Sequence, residues 1–220
     1  MNKFLILMYH MISKPETTEE VKYACPPENL DRHMQKLIHN GFNPVSLEQI
    51  EQHLLSKVNL PKNSVAITFD DGFADNYTHA FPILVKHKIP ATVFLASGCI
   101  ESTNHWMSQR GYPTRKMLNW QQIREMDKYN IAFGAHTVTH PKLPELDAES
   151  VAYEIASSKK TIEDNLGKVC KHFAYPYGLF NTDNRDEVEA AGYTLACSTR
   201  SGFNNAERDP FILHRIEVYG

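Results

Sequence analysis

The chain has 220 residues, 42% of them hydrophobic and 22% charged, with a formal net charge of −3. This supports one large domain or two small ones with a sizeable core. It excludes the basic excess or basic stripe of a nucleic-acid binder. Charges of both signs are mixed along the chain, and no apolar stretch approaches the length of a membrane span. Cys25, Cys99, Cys170 and Cys197 are scattered without a CxxC pair, as expected of reduced, buried thiols in a cytoplasmic protein.

In chain order, Lys3 to Tyr9 reads as a buried strand, since one Lys followed by Phe4 to Met8 is too short for a secretory signal. Leu30, Met34, Leu37 and Ile38 have helical spacing within Pro26 to Asn40, and Gly41 can end that helix. Ser46 can cap a helix from Leu47 to Leu55. Val65 to Phe69 is a β-rich run, and helical residues follow to about Lys88, with Asp75 and Asn76 as caps. Thr92 to Ala96 is again strand. Cys99 to Met117 has weak periodicity and reads as a long loop, whose Cys99–Tyr112 part, with His105 and Trp106, could line a groove. Asn119 caps a helix starting near Trp120, itself expected as a packing residue. Ile131 to Phe133 is strand. Asp147 caps a long helix ending at Gly167. Strands at Phe173–Tyr175 and Tyr193–Cys197 flank a helix at Arg185–Ala191, and Phe211–Val218 is the last strand.

Strands alternating with helices imply a parallel sheet with helices outside, as a barrel or a doubly wound sheet. In a barrel, chemistry collects at the C-terminal strand ends. Those ends carry Tyr9-His10, Asp70-Asp71-Gly72, His136-Thr137-Val138-Thr139-His140 and Tyr175-Pro176-Tyr177-Gly178. Carboxylates rarely enter a core unless paired or metal-bound, although Asp-Asp-Gly is also a common solvated turn. Thr-Val-Thr between the two histidines, with Pro141 after them, argues for an irregular turn rather than a helix. Two imidazoles and one carboxylate, with water in the open position, make a common catalytic zinc set.

Thr68-Phe69-Asp70-Asp71-Gly72 followed by His136-Thr137-Val138-Thr139-His140 resembles the polysaccharide deacetylase family, also called the NodB-homology or carbohydrate esterase 4 family. The likeness runs from about Phe4 to Val218. It implies one catalytic domain over 1–220, folded as a distorted (β/α) barrel with about seven parallel strands. The activity it implies is metal-dependent hydrolysis of the acetyl group of an amino sugar in a polysaccharide, oligosaccharide or lipid-linked precursor. By the same resemblance Asp70 is the base, and Asp71, His136 and His140 hold a divalent metal: Zn2+, with Co2+, Ni2+ or Fe2+ as alternatives. Thr137 steadies the turn. Tyr175-Pro176-Tyr177 matches a third motif, in which the Tyr177 backbone N–H faces the developing oxyanion.

The pattern departs from the family at three points. An Arg that pairs with the base usually opens the third motif, where Ala174 stands; Arg215 is the candidate substitute. A fourth motif, Asp with a nearby Trp, is missing. The general acid is either His214 or, as in the poly-N-acetylglucosamine deacetylase-like branch, His10; Leu7-Met8-Tyr9-His10 favours His10. A metal-dependent hydrolase of a small non-sugar amide, or an inactive carbohydrate-binding homologue, are the competing readings. The expected partner is an acetylated amino sugar, with peripheral membrane association if that sugar is lipid-linked.

Overall fold

The computed structural model describes residues 3–108 and 110–220. Eight parallel strands share one curled sheet: β1 (Leu5–Tyr9), β2 (Asn43–Pro44), β3 (Ser64–Phe69), β4 (Ala91–Leu95), β5 (Ile131–Ala135), β6 (His172–Ala174), β7 (Leu195–Cys197) and β8 (Ile216–Glu217). Seven follow the order β7-β6-β5-β4-β3-β1-β8, and β2 pairs with the start of β3. The helices are α1 (Pro27–His39), α2 (Leu47–Ser56), α3 (Phe81–His87), α4 (His105–Ser108), α5 (Trp120–Met126), α6 (Ala148–Leu166) and α7 (Thr182–Ala190). The architecture is a distorted (β/α) barrel.

Alternation along the strands builds its two layers, because successive side chains point to opposite faces. Leu7 and Tyr9, Ile67 and Phe69, and Val93 and Leu95 pack with helix residues such as Leu30, Leu84, Ile123 and Ile155. The intervening Ile6, Ala66, Phe94 and Ala174 form an inner cluster with Leu195, Cys197 and Leu213. Each fully buried large apolar side chain contributes roughly 1.5–3 kcal/mol. Phe94 fills this interior so closely that a Cβ at Gly134 would stand 2.6 Å from its ring.

Several helix starts follow their caps. Ser46 accepts from Gln49 N–H, Asn119 from Gln122 N–H, and Asp147 from Ser150 N–H. Asp75 and Asn76 depart from their expected capping role. Asp75 makes no side-chain cap bond. Asn76, fully buried, donates instead to the His10 carbonyl at 2.9 Å and so fixes the end of β1. The helix there opens as a π-turn over Asn76–Ala80, in which the Phe81 N–H donates to the Asn76 carbonyl.

The expected strand over Phe211–Val218 is broken. Leu213 bridges to Cys197 of β7, whereas Ile216 and Glu217 pair with Leu7 and Met8 of β1. Between them the His214 N–H and C=O are taken, both at 2.8 Å, by the side-chain amide of Asn204. The segment thus switches partners at His214 and closes the gap between β7 and β1. The presumed loop after Cys99 contains α4 and two antiparallel bridges, Phe73 with Met117 and Thr103 with Lys116. All four cysteines are buried and free. Among the described residues, no helix is long and apolar enough to cross a membrane.

Candidate active site

The inward face of the strands carries the polar groups that follow the sheet. In β3 it runs Ala66, Thr68, then Asp70, just past the last strand residue; in β5 it runs Gly134, then His136. Asp70 and His136 are therefore buried by the same alternation that builds the inner core, at 2% exposure each. Asp71 leaves that register by turning into the left-handed region, at φ 75°. Thr137, His140 and Tyr177 also have positive φ, at 68°, 60° and 57°. A non-glycine residue there costs about 1–2 kcal/mol, and such strain gathers where a site dictates the backbone.

Asp71, His136 and His140 each turn one ligand atom inward, and the three atoms lie within 4.8 Å of one another. His140 Nε2 is 3.2 Å and His136 Nε2 3.5 Å from Asp71 Oδ1. That oxygen is buried and accepts no hydrogen bond, which a cation bound among the three would remedy. His136 Nδ1–H donates to the Ala174 carbonyl at 2.7 Å, leaving the Nε2 lone pair free. Burial pushes His136 down to about 4, so the ring is neutral near pH 7. Burial works to raise Asp71, but the nearby His140, His10 and His136 outweigh it and hold the carboxyl low. The donor set and its protonation fit a divalent metal ion.

Asp70 is paired differently. Arg215, fully buried, donates to both its oxygens at 2.6 Å, and also to the Ser198 carbonyl at 2.9 Å. Burial opposes ionisation of Asp70, yet the Arg215 charge keeps its carboxyl low. The guanidinium thus reaches Asp70 from the segment that closes the barrel. His10 stands at the end of β1 with its ring 5.3 Å from Tyr23. His214 lies outside the cleft, its Nδ1 2.8 Å from where a Cβ on Gly202 would be.

The turn between the histidines is held from three sides. Thr137 Oγ accepts from His140 N–H at 3.0 Å, while Ser97 and Gly98 N–H donate to the Thr137 and Val138 carbonyls. Glu154 of α6 takes Val138 N–H at 2.7 Å, Thr139 N–H at 2.9 Å and the Thr139 hydroxyl at 2.6 Å. Sequence reasoning missed Glu154. Its signal was an acid on the buried stripe Val151, Glu154, Ile155, Ser158, Ile162. At the next strand end, Tyr175 donates its hydroxyl to the Phe211 carbonyl, and Pro176 opens a 3-10 turn over Pro176–Gly178. Gly178 and Leu179 N–H close that turn onto the Tyr175 and Pro176 carbonyls, bonds in which the Tyr177 N–H takes no part.

These groups surround a cavity of about 240 Å3. His10, Asp70, Asp71, His136, His140 and Tyr177 line it, with Tyr23, Trp106, Met107 and Arg110 in its walls. Trp106 stacks on His140 with ring centres 4.6 Å apart, and Tyr177 meets the same ring edge-on. The groove-lining expectation thus holds for Trp106 but not for His105, which turns away to pair with Ser102.

Comparison with known proteins agrees with this geometry. The polysaccharide deacetylase family model matches residues 57–196, and the chain belongs to that family of hydrolases. A Bacillus subtilis (strain 168) protein provisionally named polysaccharide deacetylase YxkH is 29% identical, over 98% of this chain and 71% of its own. A poly-β-1,6-N-acetyl-D-glucosamine N-deacetylase of Staphylococcus aureus (strain NCTC 8325 / PS 47) is 28% identical, over 99% of this chain and 79% of its own. The structure of Streptococcus pyogenes deacetylase PplD in complex with acetate matches with TM-score 0.84 at 28% identity, covering 99% of this chain and 92% of that one.

Proposed function

We propose that this chain is a metal-dependent N-deacetylase of an acetylated amino sugar, acting as one catalytic domain over 1–220. The observation that carries the reading is the buried Asp71–His136–His140 group beside a carboxylate, Asp70, locked in place by Arg215. A binding module gains nothing from a buried base beside a metal set, which argues against an inactive homologue. The poly-N-acetylglucosamine deacetylase among the relatives supports an amino-sugar polymer as substrate. The four buried free thiols support a reducing compartment, the cytoplasm.

Asp71, His136 and His140 would hold the ion, zinc in the first instance. When bound, it supplies Lewis-acid polarisation of the acetyl carbonyl and of the attacking water. Asp70, ionised at neutral pH, accepts the proton from water as the oxygen attacks the carbonyl carbon. Arg215 fixes the Asp70 oxygens so that their direction does not drift. The Tyr177 N–H donates to the developing oxyanion, a preorganised contact worth roughly 3 kcal/mol. His10 gives a proton to the sugar nitrogen as the C–N bond breaks, since an amine leaves poorly without one. The products are acetate and the free amino sugar.

The test is mass spectrometry of acetylated glucosamine oligomers incubated with zinc- or cobalt-loaded protein, scored for loss of acetyl groups. Asp71→Ala and His136→Ala are expected to abolish both metal binding and turnover. Turnover that survives exhaustive chelation would overturn the proposal.

A further inference from the structure

Two cations share the lip of the active-site cleft without an acidic partner. Lys22 and Arg110 both line it and both are exposed. Neither makes an ion pair among the described residues; each rests on aromatic rings. Lys22 Nζ lies 4.8 Å from the centre of Tyr23, and the Arg110 guanidinium 5.6 Å from Tyr112 and 5.8 Å from Tyr177. The Tyr23 and Tyr112 rings beneath them are themselves 6.1 Å apart, centre to centre, so the two cations ride on one aromatic cluster. Beyond Asp70 and Asp71, Glu217 on β8 is the only acidic residue among those described in the lining.

The lip is built, not incidental. Glu20, fully buried, accepts from Arg115 Nε at 2.9 Å and Nη2 at 2.6 Å, and from Glu16 N–H at 2.7 Å. Arg115 N–H in turn donates to Asn104 Oδ1 at 2.7 Å. This joins the loop carrying Lys22 to the loop carrying Arg110, so both cations border the same cavity. Resting on a ring gives a surface cation only about 0.5–1 kcal/mol, and that contact does not require a second cation next to it. A shared anionic ligand does account for the arrangement.

The cavity size says where the anion lies. At about 240 Å3 it is smaller than the ~300–1,000 Å3 of sites for drug-sized ligands. It takes about one sugar residue, and whatever is attached to that sugar reaches the lip. Tyr177 touches both Arg110 and His140, so one ring separates the lip from the proposed metal ligands.

We propose that the Lys22–Arg110 lip binds an anionic group, phosphate or carboxylate, carried by the acetylated amino sugar itself or by its immediate neighbour. This deepens the deacetylase reading and rests on it. The preferred substrate is then an amino-sugar glycan that bears an anionic group at or beside the acetylated residue, with neutral oligomers turned over less efficiently.

The test compares three probes on metal-loaded protein: the methyl glycoside of N-acetylglucosamine, its 1-phosphate, and its 3-O-lactyl ether. Acetate release is expected with kcat/KM about tenfold higher for an anionic probe, the gain from two exposed charge pairs, expressed in KM and lost at high salt. Preference for the 1-phosphate or for the lactyl ether tells which anion the lip selects. In Lys22→Gln/Arg110→Gln the anionic-to-neutral ratio is expected to fall to about one, and in Lys22→Glu/Arg110→Glu to invert. A neutral probe used as well as both anionic ones, or a ratio the double variants leave untouched, would overturn the proposal. If no probe releases acetate, the deacetylase reading fails for these sugars. Calorimetric binding of the 1-phosphate to wild type and Lys22→Gln/Arg110→Gln then decides the lip separately: weaker binding by the variant supports it, equal binding overturns it.

Discussion

Glu154→Leu isolates the support of the candidate metal turn. The substitution keeps a side chain of similar length on the buried stripe of α6 but removes the acceptor for Val138 N–H, Thr139 N–H and the Thr139 hydroxyl. Hydrogen bonds to a charged group contribute about 1.5–3 kcal/mol each. Glu154 is 6% exposed, so water can reach part of the vacated site and offset some of the loss. A net destabilisation of about 3 kcal/mol is expected. Because Val138 and Thr139 lie between His136 and His140, the freed turn should also weaken metal binding by about 10–100-fold, as loss of outer supports does elsewhere. Glu154→Gln is the control. Its carbonyl oxygen can serve both N–H groups while its amide donates to the Thr139 oxygen, so most of the affinity should return. Urea denaturation measures the stability and chelator competition measures the metal affinity. A Glu154→Leu protein that is less stable yet binds metal as wild type does would refute the argument that Glu154 presets the ligands.

Three further outcomes are expected. Arg215→Met should leave Asp70 buried and unpaired, at a cost of about 3–5 kcal/mol, while Arg215→Met combined with Asp70→Leu should recover most of it; denaturation midpoints decide, and a mild single variant would discount the pair. His10→Ala should retain metal and lose kcat by about 10²–10⁴-fold, whereas His214→Ala should be nearly silent; steady-state kinetics showing the reverse would move the acid to the C-terminal segment. The Arg115 contact draws Glu20 below the usual carboxylate value, against its burial. A lowered folded value means stability that is present above the unfolded value of about 4.3 and is lost as pH falls through the folded one. Thermal melts should therefore fall more steeply below about pH 4.3 in wild type than in Glu20→Gln, and parallel profiles would contradict the pairing.

Much of the site was legible before the fold. Asp70-Asp71-Gly72 and His136-Thr137-Val138-Thr139-His140 follow apolar strand runs, and burying such groups is costly enough to demand a purpose. Strand alternation already separates Asp70 from Asp71, since neighbouring residues point to opposite faces. Ser46, Asn119 and Asp147 announced their helices because capping is a local bond between a side chain and an amide three residues on. Asp75 and Asn76 misled for the same reason in reverse: short polar side chains serve a cap or a distant carbonyl equally well, and only the position of His10 decides which.

The amino-acid order by itself determined the strand–helix alternation and the polar groups at the strand ends, because these depend on periodicity and nearest-neighbour chemistry; which of those groups form the candidate ligand set was implied by the resemblance of the two motifs to a family. The tertiary structure decided that Arg215, in the sequence only a candidate, lies against Asp70, that Glu154 grips the histidine turn, and that Lys22 and Arg110 line one lip. Each joins residues far apart in the chain, and each depends on how the barrel closes. The break at His214, where Asn204 replaces the strand partner, shows why: which hydrogen bonds a backbone makes depends on what else has arrived beside it, and no local window of sequence contains that.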